Sequence, residues 1–281
     1  RGLCHFYLVR NFKEAPIVTE PYVDDSAPYD IAKSSEEDII AQIKSDIQTA
    51  LDSGAAKEFF EDDQWEGASK GRATKWALYA LMADVCLWSE DYDGCIEYAN
   101  QLINATATRR PVFMAVPEQW ITIFTQGNSN ESIFEVNWDG NTYNQTGGPS
   151  AMYTTGTNPN YQYSTKMSED LENDYMEVIT GKDAVRSWYG ASIIYNDGEN
   201  PVYCIWKYKM GDTDPTNLEA MRLKDDANWI IYRMADIMLM KAEALIWKGK
   251  ENWQEAVDIM NQIRTRANLP EKTLVLDEED E

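Results

Sequence analysis

Isoleucine recurs at positions 39, 43 and 47 and is followed by Leu51, so Asp38–Leu51 carries one narrow apolar stripe on an otherwise polar segment. Four-residue spacing of this kind predicts a helix with a single buried edge. Two further segments keep a helical period, and each is broken once. Thr74–Ile103 is interrupted at Glu90-Asp91, and Trp229–Ala267 at Lys248–Asn252. Each therefore reads as helix, short turn, helix.

These two segments resemble each other in sequence. Ala83-Asp84-Val85-Cys86-Leu87-Trp88 matches Ala242-Glu243-Ala244-Leu245-Ile246-Trp247. After a two-residue insertion, Tyr92 matches Trp253, Cys95-Ile96 matches Ala256-Val257, and Asn100-Gln101-Leu102 matches Asn261-Gln262-Ile263. Small residues in both helices of each unit (Ala83 and Cys95, Ala242 and Ala256) allow close antiparallel packing. An aromatic residue after the turn completes a tetratricopeptide-like spacing.

Between the repeats the period changes. Ser132–Trp138 alternates in part and predicts a short strand. Ser192–Tyr195 and Val202–Tyr208 are β-type runs joined by Asn196-Asp197-Gly198-Glu199-Asn200-Pro201, a hairpin with a longer loop. The expected fold is mainly α: tetratricopeptide-like helical hairpins with an irregular, loop-rich insert containing short strands. One domain spans 1–281, with helical repeats at about 36–104 and 229–268 and the insert at about 126–226.

Charge narrows the function. Lys and Arg total 25 against 48 Asp and Glu, a net charge of −23, and such a field repels nucleic acid and anionic lipid. The two most apolar stretches are interrupted by Asp84 in one and by Arg233, Asp236, Lys241 and Glu243 in the other, so neither predicts a membrane span. The chain opens on Arg1 and closes in the acidic run Asp277–Glu281, which we read as the ends of a piece of a longer protein.

Catalytic patterns are scarce. His5 is the single histidine and sits in the apolar run Phe6-Tyr7-Leu8-Val9, the setting of a packing residue rather than a base. No nucleophile elbow, phosphate-binding glycine loop or calcium loop occurs, and Cys4, Cys86, Cys95 and Cys204 have no zinc-ligand spacing. We expect no metal, no cofactor and no enzymatic activity. Cys86 and Cys95 lie on consecutive helices, which leaves two readings: apolar packing, which we favour, or a bridge.

One stretch stands apart. In Asn137–Thr165 the only charged side chain is Asp139, where average composition would give about seven. The same stretch holds Trp138, Tyr143, Tyr153, Tyr161 and Tyr163 among asparagines and glycines. Sugar rings stack their apolar C–H faces on such rings, and Asn amides both donate to and accept from hydroxyls. The candidate ligand-binding residues are Trp138, Asn141, Tyr143, Asn144, Tyr153, Tyr161 and Tyr163, with Trp188 from Arg186-Ser187-Trp188-Tyr189. The other reading is a loop that packs on its own scaffold.

Several phrases occur together in a fixed order. They are Phe6-Tyr7-Leu8-Val9-Arg10 and Pro16-Ile17-Val18-Thr19-Glu20, then Gly71-Arg72-Ala73-Thr74-Lys75 before an Ala/Leu-rich helix, and Asn130-Glu131-Ser132-Ile133-Phe134-Glu135. The helix Arg233-Met234-Ala235-Asp236-Ile237-Met238-Leu239-Met240-Lys241-Ala242-Glu243-Ala244 and the run Asn261-Gln262-Ile263-Arg264-Thr265-Arg266-Ala267-Asn268-Leu269-Pro270 follow. The combination resembles the SusD/RagB-like outer-membrane lipoproteins of Bacteroidetes over nearly the whole chain. Lys13 and Asn268 stand where that family often has glycine. The family's N-terminal lipoprotein signal and a C-terminal stretch are not present.

The resemblance implies a non-catalytic, lipid-anchored outer-membrane protein at the cell surface. It would bind an oligosaccharide and deliver it to a TonB-dependent SusC-like transporter. The family phrases are structural, so Arg233, Asp236 and Glu243 are expected in a polar network rather than a ligand site. The alternatives are a tetratricopeptide-like protein-interaction scaffold without sugar binding and a glycoside hydrolase of the helical class.

Overall fold

A computed structural model describes residues 1–24, 30–60, 68–141, 143–145, 192–196, 201–205, 208 and 226–276. Its helices are α1 (Gly2–Phe12), α2 (Glu36–Asp52), α3 (Lys75–Trp88), α4 (Tyr92–Ile103), the single turn α5 (Thr122–Thr125), α6 (Met234–Lys248) and α7 (Trp253–Arg266). Its strands are β1 (Ser132–Val136), β2 (Ser192–Asn196), β3 (Pro201–Ile205) and β4 (Trp229–Arg233). The predicted helical hairpins both form, and the fold is mainly α with short strands in the insert.

Local chemistry sets the helix ends. The Ser35 hydroxyl accepts the Asp38 N–H at 3.1 Å at the start of α2, and the Asp91 carboxylate accepts the Gly94 N–H at 3.0 Å at the start of α4. At the end of α3, Glu90 takes a positive φ of 59° and the Asp91 N–H reaches back to the Cys86 carbonyl at 2.8 Å, a Schellman closure. The same closure ends α7, with Asn268 at φ 57° and the Leu269 N–H on the Arg264 carbonyl at 2.9 Å. After α1, Lys13 has φ 67° and ψ −53°, and the Glu14 N–H bonds the Phe12 carbonyl at 2.7 Å. That is the strained positive-φ form of the γ-turn. Both positions where glycine was expected are thus left-handed.

The helices stack in order: α1 on α2, α2 on α3, α3 on α4, then α4 on α6 and α6 on α7. Ala83, Cys95, Ala242 and Ala256 are all buried, and each brings two backbones together. Cys86 and Cys95 are free thiols in the core, and burial pushes both up to about 12, so they pack rather than bridge. Two of the charges that interrupt the apolar stretches are cross-links between elements. Asp84 accepts the Tyr232 hydroxyl at 2.8 Å and lies 3.6 Å from Arg10, joining α3 to β4 and α1. Lys241 pairs with Glu255 at 2.7 Å across the second hairpin.

One expectation fails. Trp229–Arg233 is not the start of a helix but a strand, antiparallel to β1 with Ser132 opposite Arg233 and Val136 opposite Trp229. Its run Trp-Ile-Ile-Tyr favours a pleated, half-buried surface, and a helix could not hydrogen-bond to β1. The first strand ends at Val136, short of Trp138, and β2 pairs with β3 as the expected hairpin, with β3 ending at Ile205. The insert thus leaves the helical stack along β1 and returns along β4, so its two ends are held side by side.

Two predictions follow from the backbone and from the one histidine. Lys13→Gly should stabilise by about 1 kcal/mol, because relief of positive-φ strain outweighs the added freedom of the unfolded chain. Asn268→Gly should gain less, since Asn tolerates this region better. Urea unfolding checks both, and a loss of stability in Lys13→Gly would contradict the turn assignment. Buried His5 accepts the Val18 N–H at its Nε2 at 3.3 Å, and burial pushes its pKa down. The folded pKa lies below the unfolded value of about 6.5, so the unfolded chain takes up the proton first as the pH falls. The stability from neutral His5 is complete above that value and is lost below it. Between pH 7.5 and 5 the melting temperature should fall further for the wild type than for His5→Gln. Equal slopes would assign the acid sensitivity elsewhere.

Candidate functional site

Two buried carboxylates build the neck from which the insert departs. Glu131, at the foot of β1, is 0% exposed. Its Oε1 accepts Arg233 Nη1–H at 2.9 Å, and its Oε2 accepts Arg266 Nη1–H at 2.6 Å and the Met114 N–H at 3.0 Å. Its backbone carbonyl accepts the Met234 N–H at 3.0 Å. The Arg266 guanidinium also lies 4.3 Å from the Phe113 ring centre. At the start of α6 the Asp236 carboxylate accepts the Arg233 N–H at 3.0 Å. The polar network expected for Arg233 and Asp236 is therefore present, with Glu131 at its centre.

Glu135, two turns of the pleat further along β1, is the second hub. It accepts the Asn128 N–H at 2.9 Å, Asn228 Nδ2–H at 2.8 Å and the Ser132 hydroxyl. Asn228 in turn accepts the Trp138 N–H at 2.9 Å through its Oδ1. A side chain at Gly127 (φ 66°) would put its Cβ 2.4 Å from Asn228 Nδ2, so glycine is required for the amide to reach Glu135. Lys70 lies near this hub: burial pushes its ammonium down to about 8, with Glu135 opposing the shift.

Aromatic rings cover the same neck. Phe124 meets Trp120 edge-on at 5.0 Å and Tyr208 edge-on at 5.4 Å, and Tyr208 stacks on Trp229 at 6.4 Å. Tyr208 thereby ties the returning arm of the insert to β4. Sequence reasoning missed Trp229 as a neck residue because it was assigned to a helix. Tyr208 ended a run read as strand, and its aromatic character was the available signal.

The loop beyond β1 is closed on itself. The Asp139 N–H donates to Gln145 Oε1 at 2.8 Å, the Gln145 N–H to the Asp139 carbonyl at 3.1 Å, and the Asn141 N–H to Asp139 Oδ1 at 2.8 Å. Asn144 sits at φ 51°. The one charge in the otherwise uncharged stretch thus shapes the turn. Of the predicted ligand residues, Trp138 is half-buried and anchored through its backbone, while Asn141, Tyr143 and Asn144 point to solvent, Tyr143 with 53% exposure. Tyr153, Tyr161, Tyr163 and Trp188 lie outside the described residues. Among the described residues no cluster of potential ligands could hold a metal ion. This turn offers a ring face and amides, which suit a neutral, hydroxyl-rich ligand.

Removing the charge at Glu131 leaves the buried Arg266 and half-buried Arg233 guanidinium groups facing a neutral amide. Glu131→Gln should destabilise by about 3–5 kcal/mol, read from urea unfolding. A loss under about 1 kcal/mol would reduce the network to the standing of a surface ion pair.

Residues 152–280 match the model of the SusD family. Among curated proteins, SusD-like protein P38 of Formosa agariphila is 23% identical over 96% of this chain and 56% of its own length. SusD-like protein P2 of the same organism is 25% identical over 96% and 54%. The chain spans about half the length of these relatives. Among solved structures, a laminarin-binding SusD-like protein superposes with a TM-score of 0.69 at 21% identity, covering 97% of this chain and 62% of that one. Surface glycan-binding protein A from Bacteroides uniformis superposes with a TM-score of 0.68 at 18% identity, covering 98% and 59%. Residues 152–280 thus carry the SusD family match, and the chain is similar to SusD-like proteins along almost its entire length and shares their fold.

Proposed function

We propose that this chain is the glycan-binding part of a cell-surface protein that captures a neutral oligosaccharide and passes it to a TonB-dependent SusC-like transporter in the outer membrane. One observation carries the reading: a Tyr/Asn turn, whose single charge Asp139 is bonded to the turn's own backbone, is presented to solvent on a neck braced by two buried carboxylates. A rigid base lets ring stacking and amide hydrogen bonds form without first ordering the support. The similarity to SusD-like proteins supports the same class of ligand and binding without turnover. The ligand residues are Trp138, Asn141, Tyr143, Asn144, Tyr153, Tyr161, Tyr163 and Trp188, and the insert at about 126–226 holds them. Attachment to the membrane would be through a lipid anchor on the longer protein.

The continuous helix stack also fits an interaction scaffold without sugar binding, since such arrays present extended docking faces. Calorimetry separates the two. Laminarin oligosaccharides are the first ligands to titrate, followed by starch- and xylan-derived ones, beside a reducing-sugar assay. We expect binding without release of reducing ends. Tyr143→Ala, Tyr153→Ala and Tyr161→Ala should retain the wild-type melting temperature, and loss of a dominant stacking ring should weaken binding about tenfold. Unchanged affinity in all three variants would move the site away from this loop. No binding to any glycan, with a transporter still captured, would favour the scaffold.

A further inference from the structure

The two helical hairpins place a tryptophan at the same point, the last turn of the first helix, but the structure treats them differently. In the first hairpin, the Trp88 indole N–H donates to Glu36 Oε1 at 2.8 Å. Its ring meets Phe6 edge-on at 6.3 Å, and the Arg10 guanidinium lies 5.3 Å from it. That ring is in use. In the second hairpin, Trp247 is 64% exposed, and its indole N–H has no hydrogen-bond partner among the described residues.

Trp247 is nevertheless held in place. Its ring lies parallel to that of Tyr92, with 8° between planes and 6.1 Å between centres. The neighbouring Lys248 pairs with Asp93, beside Tyr92, so an ion pair crosses the same α4–α6 joint. Glu243 lies one helical turn before Trp247 on α6 and Glu90 two residues before Tyr92, and both are exposed, so acids flank the ring pair. The result is a flat, fixed aromatic face with a donor unused among the described residues, flanked by acids, on the helical scaffold rather than in the insert.

We infer that Trp247, supported by Tyr92, is a second carbohydrate contact, taking the apolar face of a pyranose ring from a neutral glycan while the surrounding carboxylates accept its hydroxyls. The stacked pair is a fixed aromatic platform rather than a singly scattered surface ring. A sugar fits this platform better than an apolar helix, because the flanking carboxylates are desolvated at a cost by an apolar partner but are hydrogen-bonded by hydroxyls. A net charge of −23 disfavours an acidic glycan, which would meet a field of its own sign. The inference rests on the glycan-binding reading above, and it predicts that a long glycan is held at two points of the molecule.

Affinity electrophoresis in gels containing laminarin, soluble starch or xylan first identifies a bound polysaccharide. Indole ¹H–¹⁵N spectra with an oligosaccharide of that polysaccharide then report on the ring itself, the Trp247 resonance being assigned from its loss in Trp247→Phe. We expect that resonance to shift on titration. We also expect Trp247→Ala to weaken retardation about threefold to tenfold at an unchanged melting temperature, with Trp247→Phe keeping part of the effect. A Trp247 resonance that stays fixed while others move, or retardation that survives Trp247→Ala, overturns the second contact and leaves the loop reading intact. No retardation of the wild type in any gel overturns both.

Discussion

The carboxylate of Glu131, enclosed between Arg233 and Arg266, is the contact through which the separate parts of this molecule are held together. Its three members come from the residue before β1, the end of β4 and the end of α7, so the neck of the insert and the last helix of the stack share one charge. A buried ion with good geometry contributes modest net stability, but each member is indispensable once the others are in place. The Met114 N–H and the Met234 N–H bonded to the same residue add backbone to the knot. This arrangement explains why the family-like phrases around Glu131, Arg233 and Arg266 are structural: together they make one buried object.

From that knot the rest of the neck follows. With β1 and β4 locked in register, Asn228 reaches Glu135 and receives the Trp138 N–H. The chain is thereby aimed before it enters the uncharged stretch. Asp139 then closes the turn that carries Asn141, Tyr143 and Asn144. The helical stack supplies rigidity and the insert supplies surface chemistry, a division common where loops carry function.

Acidic residues outnumber basic ones by almost two to one, yet the basic side chains are not spread evenly over solvent. Arg10, Arg233, Lys241 and Arg266 each pair with a carboxylate between elements. Lys241 and Arg266 are buried and Arg233 is half-buried, whereas Arg10 cross-links from the surface. Charges that interrupt apolar runs in the sequence thus include joints of the fold.

The sequence alone determined the helices and their breaks. Isoleucine spacing fixed the buried edge of α2, and Ser35, Asp91 and the left-handed residues at 13, 90 and 268 set ends by chemistry local to a few residues. It also marked Tyr143, Asn141 and Asn144 as a surface turn, because a lack of charge among rings and amides is visible without a structure. It misread Trp229–Arg233, and it did not show that Glu131 meets two arginines. Those outcomes belong to tertiary structure alone. Periodicity records which face of a segment is apolar, but not which distant surface covers it. For Trp229–Arg233, whose residues suit either a buried helix or a strand, the decision came from the unpaired backbone of β1, whose hydrogen bonds only an extended partner can complete.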